Sequence, residues 1–372
     1  MTSRIPLLLI PMVLMPACAD GDVAGPMHIP ARRAAIVSAA DIAVVMSGLN
    51  SPRGLDFGPD GGLYVAEAGT TELNGACGQF LEGAVLSTKC WSGTGSVSRL
   101  WHGRQERVAS GLPSTYVTSS NFASGPQDIS FAGRGHAMVA IGWGGPPELR
   151  ATLGDGAAEG GTIVQLQPNG GWKAVADITA FEGANNPAGG VIDSNPYGVL
   201  AEPGRTFVVD AGGNSLLEVA ANGRISLVAT FPSTPAPPPF NLSDAVPTRV
   251  RRGPDGALYV STLSGAPFAT GTAVIYRVRP GQPPVVHAGG FKTITDFAFA
   301  PDGGLYVLQF ATAPVFFGGP GALIHVAPGG ARTTITTALV QPTGIVIDDD
   351  GNIYISNRGT SSGDGEVLRI TP

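Results

Sequence analysis

The chain has 372 residues, of which 43% are hydrophobic and only 13% charged, and it carries a formal charge of −6. This composition excludes a disordered tail or a membrane bundle, and the negative balance excludes nucleic acid as a partner, because phosphate binding needs a basic surface. Glycine occupies 54 positions and proline 32, enough breakers to divide the chain into many short strands and to favour an all-β fold.

Residues 1–17 read as a targeting segment of the lipoprotein type. Arg4 supplies the positive start, and Ile5–Met15 is an apolar run too short to span a membrane comfortably. Met15-Pro16-Ala17-Cys18 resembles a bacterial lipobox, although Leu14 stands one place earlier than that pattern prefers. The expectation is an exported protein held at the membrane of the cell envelope through a lipidated Cys18. Plain secretion or release into the periplasm with a spare cysteine is the alternative. Residues 18–40 are rich in Ala, Gly and Pro without periodicity, as a flexible tether would be.

From residue 41 a hairpin recurs. The stretch 51–69, SPRGLDFGPDGGLYVAEAG, has two short strands around a Pro-Asp-Gly-Gly turn. Its first strand follows a template of Pro-x-(Gly/Asp)-apolar-x-apolar, which returns as PQDISF from Pro126, PYGVLA from Pro196, PTRVRR from Pro247, ITDFAF from Ile294 and PTGIVI from Pro342. The fourth copy fits least well, because Arg251 and Arg252 stand where neutral or apolar residues are expected. A second and a third strand follow each copy. Five fourth strands follow their own third strands, and the missing sixth is found at the other end, where Ile42–Leu49 resembles an outer strand. This arrangement predicts a six-bladed β-propeller over residues 41–372, with four antiparallel strands per blade and the last blade closed by the N-terminal strand. A monomer is expected.

Cys77 and Cys90 lie in the first long connection, and in an exported protein they are expected to pair. Closing that loop stabilises by about 3 kcal/mol. Two free thiols are the alternative.

In such a ring, first-to-second and third-to-fourth turns share one face, and the other connections share the opposite face. All the long segments are of the second kind, which marks a binding face. Two sets of equivalent positions point to its central mouth. The second strands end at Glu67, Ile141, Asp210, Thr262, Gln309 and Asn357, and the template proline is followed by Arg53, Gln127, Tyr197, Thr248, Thr295 and Thr343. The candidate ligand-binding set is Arg53, Glu67, Gln127, Tyr197, Asp210, Gln309 and Asn357. Oxygen donors at Glu67, Asp210 and Asn357 are the candidate ligands for a hard cation such as calcium. Polar rings also serve simply to hydrate a channel, and that reading stays open beside the first. Asp128 and Asp296 add carboxylates that point either to the channel or into the blade. The loop 185–197, NNPAGGVIDSNPY, gathers Asn185, Asn186, Asp193 and Asn195 over the same mouth. No nucleophile elbow, zinc-protease motif, phosphate loop or dinucleotide fingerprint occurs.

SPRGLDFGPDGGLYVAEAG, NNPAGGVIDSNPYGVLA, VVDAGGNSLLEVAANGRIS and the closing QPTGIVIDDDGNIYISNRGTSSGDGEVLRI together resemble the ScyD/ScyE family of exported propellers, and Asp210–Asn214 resembles an NHL repeat. A more distant likeness is to the senescence-marker-protein/gluconolactonase and strictosidine-synthase propellers. The resemblance implies the fold and export. The distant one adds a calcium-dependent hydrolase or lactonase as the alternative to a module binding a small molecule, glycan or protein.

Overall fold

A computed structural model describes residues 41–82, 85–120, 122–133, 136–313 and 318–371. The expected targeting segment, Cys18 and the whole of the tether lie outside them. Six four-stranded antiparallel sheets follow the predicted order. Their inner strands are Pro52–Phe57, Pro126–Ala132, Pro196–Glu202, Pro247–Arg252, Ile294–Phe299 and Gly344–Ile347, opening blades 1 to 6. Each inner strand touches the next, and Pro52–Phe57 touches Gly344–Ile347, so the ring closes as a β-propeller. Closure runs through the N-terminus. Asp41–Asn50 pairs antiparallel with Ser362–Thr371 as the outer strand of blade 6.

The apolar core lies between neighbouring blades. Val97 and Leu112 of blade 1 pack on Ile129, Val139 and Val164 of blade 2, and Phe207 and Leu216 of blade 3 pack on Val250 and Leu258 of blade 4. Both faces of a blade are covered, so its strands carry apolar residues on both sides. Burying each large side chain contributes about 1.5–3 kcal/mol.

A repeated irregularity positions the axis. In blades 1 to 5 the register shifts immediately after the strand-opening residue, as between Pro126 and Asp128 or Pro247 and Arg249. Such a bulge redirects side chains, and two consecutive residues per blade face the centre. Crowding there is severe. A Cβ on Gly54 would lie 1.9 Å from Asp128 Oδ1 and 2.9 Å from its Cα, so only glycine fits beside that aspartate.

The turns of the plain face are short, whereas the opposite face carries folded additions. The connections 68–94 and 113–125 build a seventh four-stranded sheet from Cys77–Glu82, Val85–Trp91, Thr115–Val117 and Phe122–Ser124. We call it the loop sheet. Cys77 and Cys90 pair across its first two strands and form the expected disulfide. Its apolar side, with Phe80, packs on Trp143, Leu149, Leu153 and Ala157 from the blade 2 connection, which contributes two 3-10 turns. Lys89 is buried there, donating to the Trp143 carbonyl and lying 5.4 Å from the Phe80 and Trp143 ring centres. Helix α1 (Ile178–Asn185), N-capped by the Asp177 carboxylate, and the short ribbon Thr234–Pro235 with Leu242–Ser243 complete that face.

Candidate functional site

The second-strand ends prove to be latches between a blade and its own incoming connection. Glu67 is fully buried. Its Oε2 accepts from the Asn50 amide at 2.6 Å, its Oε1 accepts from the Ser98 hydroxyl, and the Arg107 guanidinium donates to both oxygens. Asp210 accepts from the Asn195 amide at 2.6 Å, the Gly213 amide and the Ser194 hydroxyl. Gln309 accepts from the Lys292 amide, and Asn357 accepts from Val340 while donating to Glu366. In each case the chain arriving from an outer strand presents an amide just before the inner strand, and that amide needs an acceptor. The end of the second strand is the nearest place to supply one.

This corrects the expectation that Glu67, Asp210, Gln309 and Asn357 face the channel mouth. Their polarity serves the turn into each blade. Glu67, Asp210 and Asn357 belong to blades 1, 3 and 6 and are not assembled into one shell. Among the described residues no group of three or more His, Cys, Asp or Glu side chains is arranged to hold a metal ion. The calcium donor set therefore does not fit, and no step is derived through a metal.

Of the second ring, Gln127, Tyr197, Thr248, Thr295 and Thr343 line the axial space. Thr248, Thr295 and Thr343 each donate their hydroxyl to the carbonyl opening the next blade, at Ile294, Pro342 and Pro52 respectively, with distances of 2.9, 3.0 and 2.7 Å. These three staple blades 4, 5, 6 and 1 together. Arg53, Gln127 and Tyr197 occupy the equivalent places in blades 1 to 3. Arg53 Nη2 donates to the Ala123 carbonyl at 2.8 Å, and Gln127 Nε2 donates to Ser124 Oγ at 3.3 Å. Both partners lie on the last strand of the loop sheet, which reaches over this side of the mouth.

One residue deeper, the axis is plugged by charge. Asp128 pairs with Arg249, Asp296 accepts from Arg251 at 3.1 Å, and Arg249 Nε lies 3.4 Å from Asp296. Asp128 and Asp296 thus point to the channel, and their second oxygens accept amides of the neighbouring blades, Val199 at 2.8 Å and Ile345 at 3.0 Å. Burial pushes Asp128 up to about 6 against the pull of Arg249. Burial also works against the Arg249 guanidinium, yet Asp128, Asp296 and Asp56 hold it above its ordinary value. The axial space lined by Gly54, Gln127, Tyr197 and the threonines does not admit a water.

A further feature, missed in the sequence, lies under α1. Glu182 is 1% exposed, and its Oε2 has no hydrogen-bond partner among the described residues. Burial, then Asp210 and Asp193, push it up to about 7, and burial pushes Asp210 up to about 6. A carboxyl whose folded pKa is raised stabilises the protonated fold below its unfolded pKa, and that contribution is lost as pH rises through the folded value. Stability should therefore fall between about pH 4.5 and 7. Glu182→Gln should match the wild type at about pH 4.5 and melt about 2–3 °C higher at about pH 8, as scanning calorimetry at the two pH values will show. A gap of equal size at both would remove the titration as its cause. Spacing gave no sign of Glu182, because its neighbours come from a loop and another strand.

No protein-family model matches the chain, and no curated protein matches it. Solved structures do. An oxidoreductase described as a glucose dehydrogenase from Thermus thermophilus superposes with a TM-score of 0.56 at 17% identity, covering 89% of this chain and 100% of that one. The PQQ-bound aldose sugar dehydrogenase of Streptomyces coelicolor gives 0.51 at 14%, covering 89% and 98%. A catalytically inactive virginiamycin B lyase from Staphylococcus aureus, with quinupristin, gives 0.50 at 13%, covering 90% and 99%. At such identities the likeness shows the propeller fold alone.

Proposed function

We propose that the protein is an exported, lipid-anchored β-propeller that binds a ligand or partner on its long-loop face. One observation carries this reading: every folded addition to the ring sits on connections of that face, while the axis beneath is packed with paired charges. Neutral drift would lengthen both sets of turns. The loop sheet is built at some cost, since it has its own disulfide and apolar cluster, and it approaches the mouth through Ala123 and Ser124. Leu81, Val85 and Leu86 at its hairpin end are each at least 61% exposed, as residues reserved for contact would be. The apolar run before Cys18 supports export and anchoring, with the tether joining that anchor to blade 6.

The calcium-dependent hydrolase loses the donor set that motivated it. A binding face makes a direct demand. Replacing residues 78–89 by a short Gly-Ser turn should abolish the thermal shift given by any small acid, glycan or calcium salt that stabilises the intact mature chain. The far-UV spectrum and cooperative melting of the ring should survive. Ligand response that persists without the loop sheet would move the site elsewhere.

A further inference from the structure

We infer that residues 182–193 form a flap on the long-loop face, held shut by the protonated Glu182 carboxyl and released when that carboxyl ionises. The flap adds regulation to the long-loop-face reading and rests on it for what opening controls.

A single buried side chain holds this long excursion. Before it, Ile178 and Thr179 of α1 are buried, and Phe181 packs half-buried on the core between blades 2 and 3. After it, Ser194 is fully buried, exchanges backbone hydrogen bonds with Gly144 and Gly145, and donates its hydroxyl to Asp210. From Glu182 to Asp193, Glu182 is the only buried residue. The Asn185 and Asn186 side chains donate to the Phe181 and Gly190 carbonyls, and the Gly189 amide donates to Asn186. Those bonds close within α1 and its loop and do not tie them to the ring.

Glu182 rests on the Gly212–Gly213 turn of blade 3. A Cβ on Gly213 would lie 2.7 Å from Glu182 Oε2 and 3.1 Å from Asp210 Oδ2, so two carboxyl groups share one small space. Asp210 has its own donors in the Asn195 and Gly213 amides and the Ser194 hydroxyl. Glu182 Oε2 has none among the described residues. Protonated, the Glu182 side chain is neutral and can stay buried. Ionised, it is a desolvated charge facing Asp210 and Asp193, and both effects favour its escape to water. The 3-10 turn Pro147–Thr152 beside α1 carries Glu148 and Arg150, and Arg150 is engaged by Asp177 at 2.8 Å. Strand Thr162–Leu166, also beside α1, carries no charge. Closure is therefore fully favoured at low pH and is lost as pH rises through the value of the buried carboxyl. With 4.5 for the open flap and about 7 for the closed one, closing should weaken about 70-fold from about pH 5 to about pH 8. Lifting the segment uncovers the Gly212–Gly213 turn and the Asp210 carboxylate.

The test is hydrogen exchange of the mature chain, read by mass spectrometry at about pH 5 and about pH 8 and corrected for the intrinsic pH dependence of exchange. Peptides covering residues 182–193 should lose about 70-fold in protection at the higher pH, while Pro196–Glu202 and Arg205–Asp210 keep theirs. Glu182→Gln should protect the segment equally at both values. Equal corrected protection of the wild-type segment overturns the inference, and so does a loss in Glu182→Gln that matches the wild type. Opening of the blade 3 strands together with the segment also overturns it, because nothing separate would then be released. Should Glu182→Gln fail to fold, Asp193→Asn takes its place. With one repelling charge gone the loss should shrink, and an unchanged loss overturns the inference. Exchange needs no ligand, so its result stands whether or not the loop sheet carries the ligand response.

Discussion

Arg249→Met should lose about 3–5 kcal/mol of stability near neutral pH, the usual cost of leaving a buried charge unpaired. Its side chain is 6% exposed and touches both axial carboxylates. Without it Asp128 loses its ion-pair partner, and Asp296 keeps only Arg251. The deficit should depend on pH in a definite direction. Asp128 already titrates at about 6 with Arg249 present, and losing that cation raises it further. A raised folded-state pKa penalises the fold as pH climbs through it, so the variant should be closest to wild type at about pH 5 and furthest at about pH 8. Urea denaturation at the two pH values measures this. Asp128→Asn in the same background should restore part of the loss at the higher pH and little at the lower. A deficit that ignores both pH and the second substitution would mean that lost packing, not charge, is responsible.

Removing residues 41–50 should have a still larger effect. This strand pairs with Ser362–Thr371 along its whole length and buries Met46 and Leu49, at 2% and 0% exposure. Its Asn50 amide also feeds the Glu67 latch. Those two side chains alone are worth about 3–6 kcal/mol, a large part of a typical total of about 5–15 kcal/mol. The truncated chain also leaves a long unpaired edge on Ser362–Thr371, which templates aggregation. It should elute in the void volume and show no cooperative melting. Since Asp41 sits opposite Thr371, appending the same ten residues after Pro372 through a short turn should restore a monomer that melts. Failure of that permuted chain, with its strand present, would show that the closure does more than complete a sheet.

Much of the ring was legible because its cause is local. The strand-opening template, the Gly turn and the apolar alternation each recur, and every inner strand stands where they place it. The closing strand could be found because one outer strand was missing at one end of the chain and spare at the other. Residue roles were harder. Glu67 and Asn357 occupy a polar repeat position, and polarity alone does not tell a ligand from an amide awaiting an acceptor. The bulge that turns both Gln127 and Asp128 toward the axis has no residue signature, so Asp128 and Asp296 remained ambiguous. Arg251, which spoils the template in the fourth copy, does so because it supplies the axial cation beside Asp296. The loop sheet was invisible for a different reason. Its strands come from two connections separated by the last two strands of blade 1, and residues 113–125 show the Ser, Thr and Pro of an ordinary loop.

The pairing of Asp41 with Thr371 also sets an order in time. The first strand of the ring is made before the others and can be used only after them, because its partner is the ring's last strand, Ser362–Thr371. Until then Val44 and Met46 have no sheet to join, and bringing the ends together carries the entropy of a loop as long as the domain. Blades 1 to 5 can form in succession as the chain lengthens, each packing on the one before. The sixth converts an open, growing arc into a closed ring in one late step. A chain interrupted before Ser362 therefore leaves Asp41–Asn50 without its partner strand and the arc with two exposed ends.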